Sequence, residues 1–348
     1  MNGTKYVQEI VYAENEEIIF KRNDKVFERE IHDNKTLADE FQSVIKRSDS
    51  DTYFQRYAPW AIARLSSPTL PKPIHPYGNG FSFKNGGDGV VIYVIDTGVN
   101  VNHSEFGGRV SFGPNVAFNQ MTGVLSEDDY DYNGHGTFVA SLAIGLTVGV
   151  AKKARVVSYK AVGVGAGLND IKMINSLSDI IYLDSSANDG RKASLVVCTY
   201  NLVSRSRALD DALTEFSNLG YTYVSAAGNQ RANSCNRSPP GSLATIVAGG
   251  TNMADGYYTN SNYGPCIDVF APGADLMAAS IGVKVGTEAV TGTSYSAGLV
   301  AGVCALILGQ NPTMNQDQVR NQILTLAVKD VLTSTLTNSS NILLQVPY

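Results

Sequence analysis

Four side chains with complementary chemistry occur in the order Asp96, His135, Asn229, Ser294: a carboxylate, an imidazole, a carboxamide and a hydroxyl. Ser294 follows Thr291-Gly292-Thr293 and precedes an uncharged run of apolar and small residues reaching Leu308. That run predicts a helix buried on every side, with Ser294 in its first turn. There the unpaired N–H groups and the positive end of the helix dipole favour developing negative charge. A serine at such a position is also an ordinary helix cap, so the other three residues carry the case. His135 is framed by glycines in Asn133-Gly134-His135-Gly136-Thr137, which leave the ring unobstructed and admit close backbone approach. His32, His75 and His103 lack that framing. Asp96 ends the apolar run Val90–Ile95, where a carboxylate needs a partner because burying it unpaired costs several kcal/mol. An imidazole partner would have its tautomer fixed and its charged form stabilised. Asn229 closes Val224-Ser225-Ala226-Ala227-Gly228-Asn229, and its amide can donate to an oxyanion beside the Ser294 N–H. An aspartate before Thr-Gly, or an asparagine in a turn, is common without any such role. The order Asp, His, Ser matches one of the three chain orders in which a nucleophilic triad is built.

Positioning these groups requires strands that end beside one another. Val90–Ile95, Arg155–Lys160, Ala193–Cys198 and Tyr221–Ala226 read as strands, and Asp170–Leu183 and Ala208–Leu219 as helices. Strands alternating with helices predict an α/β fold, a three-layer sandwich with a mostly parallel central sheet. Chemistry in such sheets gathers beyond the carboxyl ends of the strands, where Asp96 and Asn229 fall. Thr313-Met314-Asn315-Gln316 reads as a capping box opening a last helix through Ala327. Residues 1–57 form a charged α+β segment, with β runs before a helix expected to start at Thr36, and 58–348 the large domain.

The 348 residues carry 27 Lys+Arg and 32 Asp+Glu, a net charge of −5 without a long basic stripe, which argues against nucleic acid. No apolar run reaches membrane-spanning length without glycine and turn breaks, and the N-terminus lacks a signal-peptide pattern. No Walker loop, H-E-x-x-H or C-x-x-C is present, and Gly163-Val164-Gly165-Ala166-Gly167 is too weak for a dinucleotide site. The serine segment also lacks the second glycine of a G-x-S-x-G elbow. Cys198 and Cys304 read as buried apolar residues. Cys235 and Cys266 lie in turn-rich loops, and their spacing alone leaves pairing open.

Asp96-Thr97-Gly98, Gly134-His135-Gly136-Thr137, Ala227-Gly228-Asn229 and Gly292-Thr293-Ser294 resemble the four signature segments of the subtilisin-like serine peptidases. Ala58–Leu65 and Asp268-Val269-Phe270-Ala271-Pro272-Gly273 resemble the proteinase K and cerevisin branch, so the likeness runs from about residue 58 to the end. It implies an endopeptidase with Asp96, His135 and Ser294 as triad and Asn229 at the oxyanion. It implies a substrate strand along Gly165, Ala166 and Gly167, and a primary pocket lined by Thr199, Tyr200, Asn201, Ala227 and Gly228. It also implies a Cys235–Cys266 disulfide, and an N-terminal inhibitory propeptide in the place of residues 1–57. A monomer acting on peptide or protein substrates, without cofactor, in the secretory route (secreted or vacuolar) is the expectation. The triplets Asn34-Lys35-Thr36 and Asn236-Arg237-Ser238 fit that route.

Several positions depart from the family. Thr199-Tyr200-Asn201-Leu202 stands where it has Ser-Leu-Gly-Gly, and Tyr295-Ser296-Ala297-Gly298-Leu299 follows the serine in place of Met-Ala-Ser/Thr-Pro-His. Phe138 replaces a family histidine. Asn252 replaces a calcium-ligating aspartate, so no metal is assigned. These departures admit a second reading, a homologue with impaired turnover that binds without cutting.

Overall fold

Alternating strand and helix patterns produce a nine-stranded sheet between helical layers. The computed structural model describes residues 52–70, 80–117, 128–163, 167–281, 285–334 and 337–347, with the backbone of short strands at 10–12, 18–22, 25–29 and 45–47. The expected Thr36 helix lies outside these residues. In chain order the strands are β1 (Ile10–Tyr12), β2 (Ile18–Arg22), β3 (Lys25–Arg29), β4 (Ile45–Arg47), β5 (Thr52–Gln55), β6 (Phe81–Lys84), β7 (Val90–Asp96), β8 (Val110–Asn115) and β9 (Arg155–Lys160). They continue with β10 (Ala193–Cys198), β11 (Thr222–Ala226), β12 (Ile246–Thr251), β13 (Val269–Pro272), β14 (Leu276–Ala279), β15 (Thr287–Val290), β16 (Val328–Lys329) and β17 (Ile342–Leu343). The main sheet runs β16-β17-β13-β12-β11-β10-β7-β9-β8, parallel except at β16.

The central strands are buried on both faces, so each reads as an unbroken apolar run and its alternation sorts side chains between two cores. Val90, Ile92 and Val94 face the core containing the helices Trp60–Leu65, His135–Ile144 and Thr293–Gln310. Val91, Tyr93 and Ile95 face the other, built on the helices Asp170–Ser185 and Arg207–Asn218. Asp96 continues the first series. The two-residue period therefore turns its carboxylate toward the helices that begin with His135 and carry Ser294. In register, Ile95 lies beside Cys198 and Cys198 beside Ser225, so β7, β10 and β11 end abreast.

The Thr293–Gln310 helix is buried from Thr293 to Gly309, as its lack of a polar stripe predicts. It is long and apolar enough to cross a bilayer by composition, with a mean hydropathy of 1.3, yet 89% of it lies inside the domain. The capping box falls two residues later than expected. Asn315 Oδ1 accepts from Gln318 N and Gln318 Oε1 accepts from Asn315 N, so Asn315 caps the Gln316–Leu326 helix in place of Thr313. Asparagine is the better cap, and Gln318 supplies the reciprocal bond.

Near the N-terminus, β5 pairs with β4 on one side and β6 on the other. Gln55 is 1% exposed and donates to Thr147 O, and Tyr53 stacks on Phe83.

Candidate active site

Asp96 and His135 form a direct pair. Nδ1 of His135 lies 2.8 Å from Asp96 Oδ1 and 3.0 Å from Oδ2. Thr97 N donates to Oδ1 at 2.7 Å and Thr199 Oγ1 to Oδ2 at 3.2 Å, so the carboxylate, 1% exposed, keeps its charge fully hydrogen-bonded. An Nδ1 facing a carboxylate carries the proton, which leaves Nε2 as the ring's acceptor. The close fit depends on Gly136, because a Cβ there would meet Gly98 O at 2.1 Å and Asp96 Cβ at 3.0 Å.

Burial alone would lower the imidazole pKa. The charge and hydrogen bond of Asp96, and then the charge of Asp131, outweigh it and raise the pKa above the ordinary 6.5. Two aromatic rings flank the imidazole, Tyr295 with centroids 5.6 Å away and Tyr200 at 5.8 Å, and Phe138 packs edge-on against Tyr295. Burial pushes the Tyr295 hydroxyl up to about 12 and raises Tyr200 as well, so both rings stay neutral.

Asn229 is oriented from the serine helix. Its Oδ1 accepts from Thr293 N at 2.9 Å and from Thr293 Oγ1 at 3.0 Å, while Gly228 N donates to Thr293 Oγ1. The Thr293 N–H can only donate, so the side-chain atom facing it is the oxygen, and among the described residues Nδ2 is left as a donor without a partner. Gly292 supplies no side-chain cap, and Asn229 caps the helix in its place. Ser294, the second helical residue, is 8% exposed. Its neighbour Tyr295 packs against the imidazole, so the first turn of the serine helix lies beside the ring. Among the described residues no hydrogen bond joins Ser294 Oγ to His135; such bonds often tighten only with substrate.

Of the residues expected to meet substrate, Gly165 and Ala166 lie outside the described residues, and Gly167 is exposed with open space around it. Thr199 is bonded to Asp96. Ala227 is fully buried, its carbonyl accepting from Ser234 Oγ and Asn262 Nδ2. Gly228 has φ +102°, and a Cβ there would sit 2.4 Å from Asn262 Nδ2. Asn201 reaches across from the end of β10 to the end of β11, with Nδ2 donating to Ala226 O at 3.0 Å. Its Oδ1 is buried without a partner among the described residues. Cys235 and Cys266 form a disulfide with Cα atoms 5.4 Å apart, and Cys198 and Cys304 are free and buried. Among the described residues no three His, Cys, Asp or Glu side chains converge on a possible metal position. Asn252 Oδ1 instead accepts from the backbone of Ala254 and Gly256.

Sequence reasoning missed Asp131 and the threonines Thr97, Thr137 and Thr293 that tie the site together. The signal for Asp131 was its position four residues before the glycine-framed histidine.

A buried carboxylate–imidazole pair facing the start of a buried helix, beyond the ends of a parallel sheet, defines a subtilisin-like architecture. The chain belongs to the subtilase family, whose model matches residues 87–343. It is 31% identical to the subtilisin-like serine protease Cla h 9.0101 of Davidiella tassiana over 84% of this chain and 58% of that protein. It is also 31% identical to the subtilisin-like serine protease Rho m 2.0101 of Rhodotorula mucilaginosa, over 82% and 85%. The crystal structure of a cold-adapted subtilisin-like serine proteinase superposes with a TM-score of 0.73 at 29% identity, covering 84% of this chain and 99% of that one. The chain spans under two thirds of the length of several relatives, among them a Schizosaccharomyces pombe subtilase-type protein at 59%.

Proposed function

We propose that this chain is a serine endopeptidase that cuts peptide or protein substrates through an acyl-enzyme. Ser294 Oγ attacks the scissile carbonyl and its proton passes to His135 Nε2. The oxyanion accepts hydrogen bonds from Asn229 Nδ2 and the Ser294 N–H. Collapse breaks the C–N bond, and the proton on Nε2 goes to the leaving amine. Water, deprotonated by the same nitrogen, then releases the acid and regenerates Ser294. The observation that carries this reading is the Asp96–His135 pair, which protonates Nδ1 and leaves Nε2 basic beside the start of the Ser294 helix. The base must be neutral, so the rate should fall as pH drops through a histidine pKa above 6.5.

Asn201 supports a finer assignment. A side chain bridging the ends of β10 and β11 would narrow a pocket opening between those strand ends, so the residue whose carbonyl is attacked should be small, with alanine and serine favoured over phenylalanine. Substrate would run extended along Gly165–Gly167, held by main-chain bonds. Because β5 pairs with both β4 and β6, removal of an inhibitory segment would break the β4–β5 pairing, and a cut near residues 47–57 that is absent from Ser294→Ala would mark its end. The disulfide supports an oxidising compartment and thus the secretory route.

Fluorophosphonate labelling combined with a peptide library tests the reading. Labelling abolished by Ser294→Ala, together with cleavage after small residues, is the expected result. A chain that neither labels nor cleaves would overturn it.

A further inference from the structure

Asp131 is a second buried carboxylate beneath the site, 0% exposed and, among the described residues, without a cationic partner. Its charge is satisfied by five donors. Oδ1 accepts from Thr97 Oγ1 at 2.8 Å, Gly134 N at 2.8 Å and Asn133 N at 3.2 Å. Oδ2 accepts from Thr137 Oγ1 at 2.7 Å and Thr137 N at 3.0 Å. The donors flank the two reactive side chains. Thr97 follows Asp96 and its N–H holds the Asp96 carboxylate, while Asn133, Gly134 and Thr137 bracket His135. Thr97 Oγ1 also accepts from Gly136 N at 3.0 Å, and Thr137 Oγ1 from Asn100 N at 2.9 Å. One carboxylate therefore joins the end of β7, the loop before His135 and the first turn of the His135 helix.

We propose that Asp131 is the positioning residue of the Asp96–His135 pair, setting the distance between strand end and helix start and adding a second negative charge beneath the imidazole. A buried charge this well solvated by donors is held rigidly, since any movement would strip hydrogen bonds from a carboxylate that water cannot reach. It never contacts the ring, so it acts through geometry and field. This inference rests on His135 being the base, but the ring's environment can be read without turnover.

The groups facing the imidazole are Asp96 from the end of β7, Asp131 from the preceding loop, Tyr200 from the end of β10 and Tyr295 from the serine helix; both tyrosines are neutral. Asp131→Asn removes one of these two charges and sets an amide against the two Thr137 donors. Thr97→Val cuts the bridge to Gly136 and keeps the charge.

The test pairs kinetics with NMR titration of His135 in a Ser294→Ala background. Asp131→Asn should lower kcat about 10–100-fold with KM nearly unchanged, typical of lost general-base positioning. It should lower the ring pKa by roughly 0.5–1 unit, less than the 1–3 units of a charge in direct contact. Thr97→Val should lower kcat about tenfold and leave the ring pKa in place. If Asp131→Asn does not fold, Thr97→Val decides. A folded Thr97→Val with parental kcat overturns the positioning role, and so does a folded Asp131→Asn with parental kcat and ring pKa. If the parent itself cuts nothing, the proposed reaction fails, while an Asp131-dependent ring pKa in the titration would still uphold this inference.

Discussion

Replacing Asp96 by asparagine isolates what the carboxylate contributes. The variant keeps the shape and an oxygen for the Thr97 N–H, but removes the charge about 3 Å from Nδ1. With an effective dielectric of about 20, that separation gives roughly 5–6 kcal/mol of attraction for the imidazolium. In the proposed reaction this attraction is felt fully only when the ring takes the serine proton, so it lowers the barrier and not the energy of bound substrate. At about 1.4 kcal/mol per decade, the loss is about 10⁴-fold in kcat. Tautomer adds to it, because an amide NH₂ facing Nδ1 forces the proton onto Nε2 and removes the acceptor. The assay is kcat and KM on a fluorogenic peptide, with folding checked by thermal unfolding. The acid limb should move to lower pH, since burial, which disfavours the charged ring, is then less opposed. A folded Asp96→Asn enzyme within tenfold of the parent would refute the pairing as the source of basicity.

Asn229→Ala should lower kcat by about 10²–10³ with little change in KM, the range known for loss of the oxyanion asparagine in subtilisin, a member of the same family; steady-state kinetics checks it. Asn201→Gly should open the crevice between β10 and β11, so that a peptide library shows preference moving from alanine toward leucine and phenylalanine. Unchanged selectivity would remove Asn201 from the pocket. Replacing Cys235 and Cys266 by serine frees a loop with sequence separation 31, worth about 3–4 kcal/mol of stability in the chain-entropy account, read by chemical denaturation.

Much of the candidate site was legible locally. Asp96 followed an unbroken apolar strand, His135 stood between glycines at a helix start, and Ser294 opened a run without charge. Each pattern reflects a constraint carried within a few residues: burial of a strand on both faces, access to a ring, burial of a helix all round. The cap of the last helix was misread by two residues because Thr313 and Asn315 both suit the role, and only the reciprocal bond with Gln318 chooses between them. Thr199 showed a different gap. Its hydroxyl turns to Asp96, a residue 103 positions away, a pairing no local pattern encodes.

By itself the sequence determined which groups could react, the strands and helices that carry them, and the likeness to one family. Only the tertiary structure decided how those groups are held: Nδ1 against Asp96, Asn229 turned by Thr293, Asn201 spanning two strand ends, and Asp131 satisfied by five donors. The reason is physical. Periodicity and burial are short-range properties of a chain, whereas hydrogen-bond direction, and the electrostatic field set by buried charges, exist only once distant segments are packed against one another.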